Sequence, residues 1–360
     1  MSIPRAADLS LAELAGGLLM AGFSGTSPPA SLLELVAHRG LGGVVLFSRN
    51  IATPDQTREL VDALRQASPS PLPLLVAVDQ EGGAVARFRE PFTRFPPMAR
   101  LGEVGDPELA QAVGRVLGSE LAAVGVNLDF APVLDVLTRA DNPAIGRRAL
   151  ATEPSRVALL GTRLIAGLQD AGVAACAKHF PGHGDAALDS HHQLPVLPHT
   201  RERLQQVELP PFVAACAVPV ATVMVGHLLL PRLDPEQPAS LSRPLIQGLL
   251  REELGYQGVV VTDDLEMAPI AEGVGMARAA ELGLHAGVDL FLVCHRLDRQ
   301  QELLDALCEA VVQGRVPRQR LEESWERLAR LRRLYPPRVA SDDLALLGCP
   351  EHRAVAARLA

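Results

Sequence analysis

Residues 172–185 read Gly172-Val173-Ala174-Ala175-Cys176-Ala177-Lys178-His179-Phe180-Pro181-Gly182-His183-Gly184-Asp185. The first six are small and apolar, the composition of a strand buried on both faces. The next eight include a cation, two imidazoles, two glycines, a proline and a carboxylate. Titratable groups at that density are costly beside a core unless each is paired or wet, so the change marks a strand whose C-terminal end carries function.

The pattern recurs along the chain. Short apolar runs occupy residues 18–23, 43–47, 74–79, 126–133, 173–179, 221–227, 258–264 and 288–295. Amphipathic segments long enough for helices separate them, an alternation that predicts parallel strands with crossover helices. Eight such units predict a closed (β/α)8 TIM barrel, an α/β fold with its active site at the C-terminal ends of the strands. A doubly wound open sheet is the alternative, but no Gly-x-Gly-x-x-Gly follows the first strands. Thr53-Pro54-Asp55 is a helix start, with a capping hydroxyl, a first-turn proline and an acid. Helices are expected over 107–123, 155–171, 201–215, 242–254, 276–286, 300–313 and 320–334. The arginines of the last one, mixed with Glu322, Glu323 and Glu326, read as a solvated face. The predicted organisation is one catalytic barrel over 1–340 and a short helical tail over 341–360 packed on it.

The formal charge of −8 argues against a nucleic-acid binder and suits a neutral or modestly charged small substrate. Five scattered cysteines without CxxC spacing read as buried thiols of a reducing compartment. Residues 1–8 lack the features of a secretory signal, and residues 11–23 are broken by Glu13, Gly16 and Gly17, too short to span a bilayer. A cytoplasmic protein without a membrane partner is expected.

Polar residues sit where a barrel would use them. Asp79-Gln80-Glu81-Gly82-Gly83 and Arg87 follow the third run; Asp129 and Asp135 end the fourth, with Asn142 to Arg148 in its loop. Lys178-His179, Gly226-His227, Thr262-Asp263-Asp264 and Cys294-His295 end the last four. An acid emerging from Val259-Val260-Val261 is partly desolvated, and a nearby cation would hold it ionised as a nucleophile. Strand alternation turns only one of Asp263 and Asp264 toward the pocket and does not say which. Asp189 and His191, two apart, can pair so that the acid fixes the imidazole tautomer and makes it a proton donor and acceptor near neutral pH. Taken singly, each group also fits a bland role, a helix cap for the acid and a surface pair for Asp189 and His191. Five histidines between 179 and 199 raise a metal site. The four-residue spacing of His179 and His183 suits zinc only on a helix, which Pro181, Gly182 and Gly184 oppose.

Together, Asp79-Gln80-Glu81-Gly82-Gly83, Lys178-His179-Phe180-Pro181-Gly182-His183-Gly184, Asp189-Ser190-His191 and Thr262-Asp263-Asp264-Leu265-Glu266-Met267 resemble the family 3 glycoside hydrolases. The resemblance is to the bacterial branch of β-N-acetylhexosaminidases that release N-acetylglucosamine from peptidoglycan fragments, and it extends over residues 18–293. It implies a retaining mechanism in which Asp263 is the nucleophile and His191, partnered by Asp189, is the acid/base. Most retaining glycosidases use a carboxylic acid in the second role. It further implies that Asp79, Arg87, Arg148, Lys178 and His179 line the terminal-sugar subsite, in a single barrel without metal or organic cofactor. Ala149-Leu150 and Ala84 depart from the branch pattern near the rim of the site, where they bear on the leaving group. The function expected is that of an exo-β-N-acetylglucosaminidase, monomeric, acting on a small carbohydrate, a muropeptide or a chitooligosaccharide. A phosphorylase or β-glucosidase of the same family is the alternative. A non-catalytic sugar-binding protein would need neither Asp263 nor His191.

Overall fold

The computed structural model describes residues 4–68, 70, 72–190, 192–337 and 343–360. Eight parallel strands form a closed barrel: β1 (Leu19–Gly22), β2 (Gly43–Leu46), β3 (Leu75–Val78), β4 (Leu128–Asp129), β5 (Ala174–Phe180), β6 (Thr222–Val225), β7 (Val259–Asp264) and β8 (Leu290–Val293). Each pairs with the next in chain order, and β8 returns to β1. Helices outside and packed side chains inside explain why the strands are runs of Val, Leu and Ala without polar alternation. The expected (β/α)8 architecture is the one observed.

The fourth strand is shorter than its apolar run. Only Leu128 and Asp129 form a regular strand, since Pro132 has no N–H for the ladder, but the carbonyls of Ala131 and Pro132 still accept from the amides of Cys176 and Lys178, and Val133 bridges to Lys178. The helix Pro54–Ala67 starts as predicted, with Thr53 accepting from the amide of Gln56. Pro107–Ala123 coincides with its predicted range. The helix expected over 201–215 is two helices, Arg201–Gln206 and Pro210–Ala217. Pro210 and Pro211 have no N–H to continue the first helix and are suited to the first turn of the second. The segment expected as a helix over 242–254 forms a wide, π-type helix, Pro244–Glu253.

The arginines of Arg318–Leu334 correct the solvated-face expectation. Arg320 and Arg327 reach the fully buried Asp289, just before β8, at 3.2 and 3.1 Å, where Arg251 and the hydroxyl of Ser324 also converge. Arg332, 2% exposed, donates to the carbonyls of Leu41 and Gly42. Beyond the helix, the short segments Asp343–Leu346 and Pro350–Ala357 lie against Pro107–Ala123. There Glu120 accepts hydrogen bonds from Thr93, the Gly348 amide and His352. No described helix is long and apolar enough to cross a membrane. All five cysteines are free thiols.

Candidate active site

A cavity of about 200 Å3 opens at the C-terminal ends of the strands. Asp79, Arg87, Arg148, Lys178, His179 and Asp263 all line it, with Phe47 after β2 and His295 after β8. The volume lies below the ~300–1,000 Å3 common for drug-sized ligands, so it accommodates a single sugar ring rather than an oligosaccharide.

One wall is a network of paired charges. Lys178, 2% exposed at the end of β5, places Nζ 2.8 Å from Asp79 and 2.6 Å from Glu81. Arg148, on the 3-10 turn Gly146–Arg148, binds Glu81 through two parallel bonds of 2.8 Å and also donates to the carbonyl of Ala144. Arg87 approaches the other oxygen of Asp79 at 3.4 Å. Burial opposes ionisation of both acids, yet the cations prevail. Lys178 and Arg87 hold Asp79 below its ordinary value, and Lys178 and Arg148 bring Glu81 to about 2. The same acids raise Lys178 against the effect of burial. The wall is therefore a fixed set of ionised donors and acceptors, the chemistry that recognises sugar hydroxyls.

Asp135 organises the two histidines of the opening motif. Its carboxylate, wholly buried, accepts from the backbone N–H groups of His179 at 3.2 Å and His183 at 2.7 Å, and lies 2.7 Å from Nδ1 of His179. His183 places Nε2 3.0 Å from the hydroxyl of Ser190, tying the motif to the loop that follows. Gly184 is needed at its position because a Cβ there would lie 1.8 Å from the carbonyl oxygen of Val136. His199 pairs with Asp185 at 3.3 Å, outside the cavity lining. Among the described residues, no three His, Cys, Asp or Glu side chains are grouped to hold a metal ion.

Asp263 and Asp264 both line the cavity, contrary to the alternation of a regular strand. The pairing of β7 with β8 explains it: Leu290 opposes Val261 and Leu292 opposes Asp264, so β7 carries an extra residue. Such a bulge re-aims side chains at a sheet end. Oδ1 of Asp264 accepts from the amides of Glu266 and Cys294, while buried His227 donates its Nε2–H to the Asp264 carbonyl at 3.0 Å and places Nδ1 2.7 Å from the Ser240 hydroxyl. Asp189 is half-buried in the loop after β5 beside Ser190, which lines the cavity; His191 lies outside the described residues.

Glu81, Asp135, Asp264, Phe47 and His295 belong to the site by geometry but were not singled out as site residues from sequence. Glu81, Asp135, Asp264 and His295 all stand at polar strand ends, which is the available signal, and Asp264 is the open alternative to Asp263 in the alternation of its strand. Phe47 carries a weaker one, a phenylalanine at a strand end in a chain that is only 3% aromatic.

The profile of the glycosyl hydrolase family 3 N-terminal domain matches residues 10–331. A β-hexosaminidase of Alkalilimnicola ehrlichii is 44% identical over 285 residues, 78% of this chain and 81% of that protein. A family 3 β-N-acetylglucosaminidase from Paenibacillus sp. superposes with a TM-score of 0.93 at 43% identity, covering 98% of this chain and 68% of that one. NagZ from Neisseria gonorrhoeae, solved in complex with N-trifluoroacetyl-D-glucosamine, superposes with a TM-score of 0.82 at 32% identity over 99% of this chain and 98% of its own. On these matches, and with the barrel and cavity described, the chain belongs to glycosyl hydrolase family 3 and is a glycoside hydrolase.

Proposed function

We propose that the protein is a retaining exo-β-N-acetylglucosaminidase that removes the terminal non-reducing N-acetylglucosamine from peptidoglycan-derived fragments through a covalent glycosyl-enzyme. The observation that carries this reading is that Asp263, at the end of β7, shares one ring-sized cavity with the charged wall of Asp79, Arg148, Lys178 and His179. The β-N-acetylglucosaminidase and β-hexosaminidase relatives supply the sugar class.

In this reading the wall binds the hydroxyls of the terminal ring and fixes its anomeric carbon near Asp263. The Asp263 carboxylate attacks that carbon while the acid/base protonates the departing oxygen; water then enters with the acid/base taking its proton. His191 is assigned that role with Asp189 as its partner, on the Asp-Ser-His sequence they form. A neutral imidazole serves as base without adding a second negative charge beside the intermediate. The five free thiols fit a reducing compartment, and the proposed location is the cytoplasm.

The test is hydrolysis of a chromogenic β-N-acetylglucosaminide by wild type, Asp263→Ala and His191→Ala, each with and without azide. Asp263→Ala is expected to be inactive. His191→Ala should retain activity only toward the activated leaving group and be accelerated by azide. Wild-type rates in both variants would refute the assignment, and a rate that requires phosphate would make the enzyme a phosphorylase.

A further inference from the structure

A second cavity lies at the opposite end of the barrel from the catalytic one. It occupies about 320 Å3 between the helix Arg318–Leu334 and the segments that lead into β6 and β7. We propose that this pocket binds a small aryl carboxylate, an anion carried on an apolar ring. The proposal is independent of the sugar chemistry at the other end of the strands.

The lining combines two arginines with apolar groups and contains no acid among its described residues. Arg327 and Arg330 stand one turn apart on the helix, and Pro219, Leu331, Leu334 and Tyr335 supply apolar surface. Arg327 is shared rather than free. It reaches Asp289 at 3.1 Å, but that single carboxylate also binds Arg251 and Arg320, so three cations meet one anion. Arg330 is exposed and pairs with no acid among the described residues. Glu323 and Glu326 face a separate groove that both arginines border, and neither lines the pocket. Positive charge is therefore in local surplus, in a chain whose formal net charge is −8. A bound anion offsets that surplus, and the planar guanidinium fork matches a carboxylate. Guanidinium groups also lie flat on aromatic faces, and Tyr335 offers a further ring, which favours an aryl body over an alkyl chain.

The walls are held before any ligand arrives. Arg251 donates to the carbonyls of Tyr256 and Gly258 at 3.4 and 3.2 Å, and the Tyr256 hydroxyl donates between the carbonyls of Ala221 and Val259, 3.1 Å from each. Gly258 has no room for a side chain, because a Cβ there would meet that hydroxyl at 2.3 Å. On the helix side, Asn127 donates to the carbonyl of Tyr335 at 3.0 Å. A preformed cavity of this size falls within the ~300–1,000 Å3 range of small-molecule sites. Its cysteine is not a nucleophile: burial pushes the Cys216 thiol up to about 11, so it stays protonated at neutral pH. The pocket is a place for binding, while chemistry belongs to the C-terminal strand ends. Val259 lines this pocket and Asp263 lines the catalytic cavity, roughly 13 Å apart along β7, so both can be filled together.

Isothermal titration calorimetry with three probes tests the assignment. The probe 2-naphthoate should bind once per chain. The amide 2-naphthamide keeps the ring without the charge, and acetate keeps the charge without the ring. Each should bind roughly tenfold or more weakly, the scale of a lost guanidinium–carboxylate pair or of the lost ring burial. Arg330→Ala should weaken 2-naphthoate roughly threefold, and Arg330→Glu or Leu334→Glu roughly tenfold. Both positions are exposed, so these changes leave the core intact. Saturating N-acetylglucosamine should not displace the probe. No binding of 2-naphthoate, equal binding of 2-naphthoate and 2-naphthamide, or unchanged affinity in Arg330→Glu overturns the proposal. Displacement by N-acetylglucosamine also overturns it, by placing the probe in the catalytic cavity.

Discussion

The carboxylate of Asp135 stands 2.7 Å from Nδ1 of His179 and also accepts the backbone amides of His179 and His183. Burial pushes this acid up, but the two histidines and the amide bonds hold it below its ordinary value, so it is ionised. An ionised acceptor makes Nδ1 the donor and leaves Nε2 for a ligand in the cavity. Asp135→Asn is expected to release that tautomer and lower kcat/KM roughly 10- to 100-fold, the scale of one hydrogen bond to a charged group. Steady-state kinetics beside a thermal melt checks this. Unchanged kinetics in a folded variant would remove Asp135 from the site.

Glu81 supplies a pH dependence of stability. Its pKa falls from 4.5 to about 2 on folding, so the unfolded chain binds the extra proton between those values. The stabilisation is complete above about 4.5 and is lost as pH drops toward 2, with a size on the order of 3 kcal/mol. Glu81→Gln should be less stable than wild type at pH 7 and lose less on acidification. Urea titrations across pH 2–6 measure both, and parallel curves would contradict the shift.

Asp264 works in the opposite sense. Burial, together with the charges of Glu266 and Asp263, raises its pKa from 3.8 to about 7. The folded chain now binds the extra proton, so stability declines as pH rises from about 4 to about 7. Asp264→Asn keeps an oxygen to accept from Glu266 and Cys294 and cannot ionise. The variant should match wild type near pH 4 and exceed it by a few kcal/mol at pH 8. Equal stability at pH 8 would show that Asp264 titrates normally.

The barrel was legible because its signal is local. Each strand announces itself as an apolar run, and the rule that function sits at C-terminal strand ends points to a set of polar residues that includes Asp79, Lys178, His179 and the Asp263-Asp264 pair; only the resemblance to the family singles out Asp263. What stayed hidden is set by pairings distant in sequence. Glu81 becomes a member of the wall through Arg148, 67 residues on, and Asp135 through His179, 44 residues on. Local periodicity contains neither. Asp264 was obscured by the bulge against β8, which breaks the alternation that sequence reasoning assumes. The arginines of Arg318–Leu334 looked solvated because glutamates surround them, whereas the acid that binds Arg320 and Arg327 belongs to another element.

That acid, Asp289, separates stability from catalysis. It is fully buried at the N-terminal entry to β8, the end of the barrel away from the cavity, and Arg251, Arg320 and Arg327 hold it ionised against burial. Its oxygens also accept from Ser324 and from the amide of Val260, so it clamps the helix Arg318–Leu334 to β7 and β8. Asp289→Ala would leave three guanidinia facing one another with no carboxylate among them. Removing one partner of a buried ion pair costs about 3–5 kcal/mol, mostly from the charge left uncompensated. The variant should show that loss in urea unfolding, yet keep kcat/KM for a chromogenic substrate within about twofold at temperatures where it remains folded. A tenfold fall in kcat/KM without a stability change would mean that Asp289 is coupled to the active site through the barrel rather than serving as a clamp.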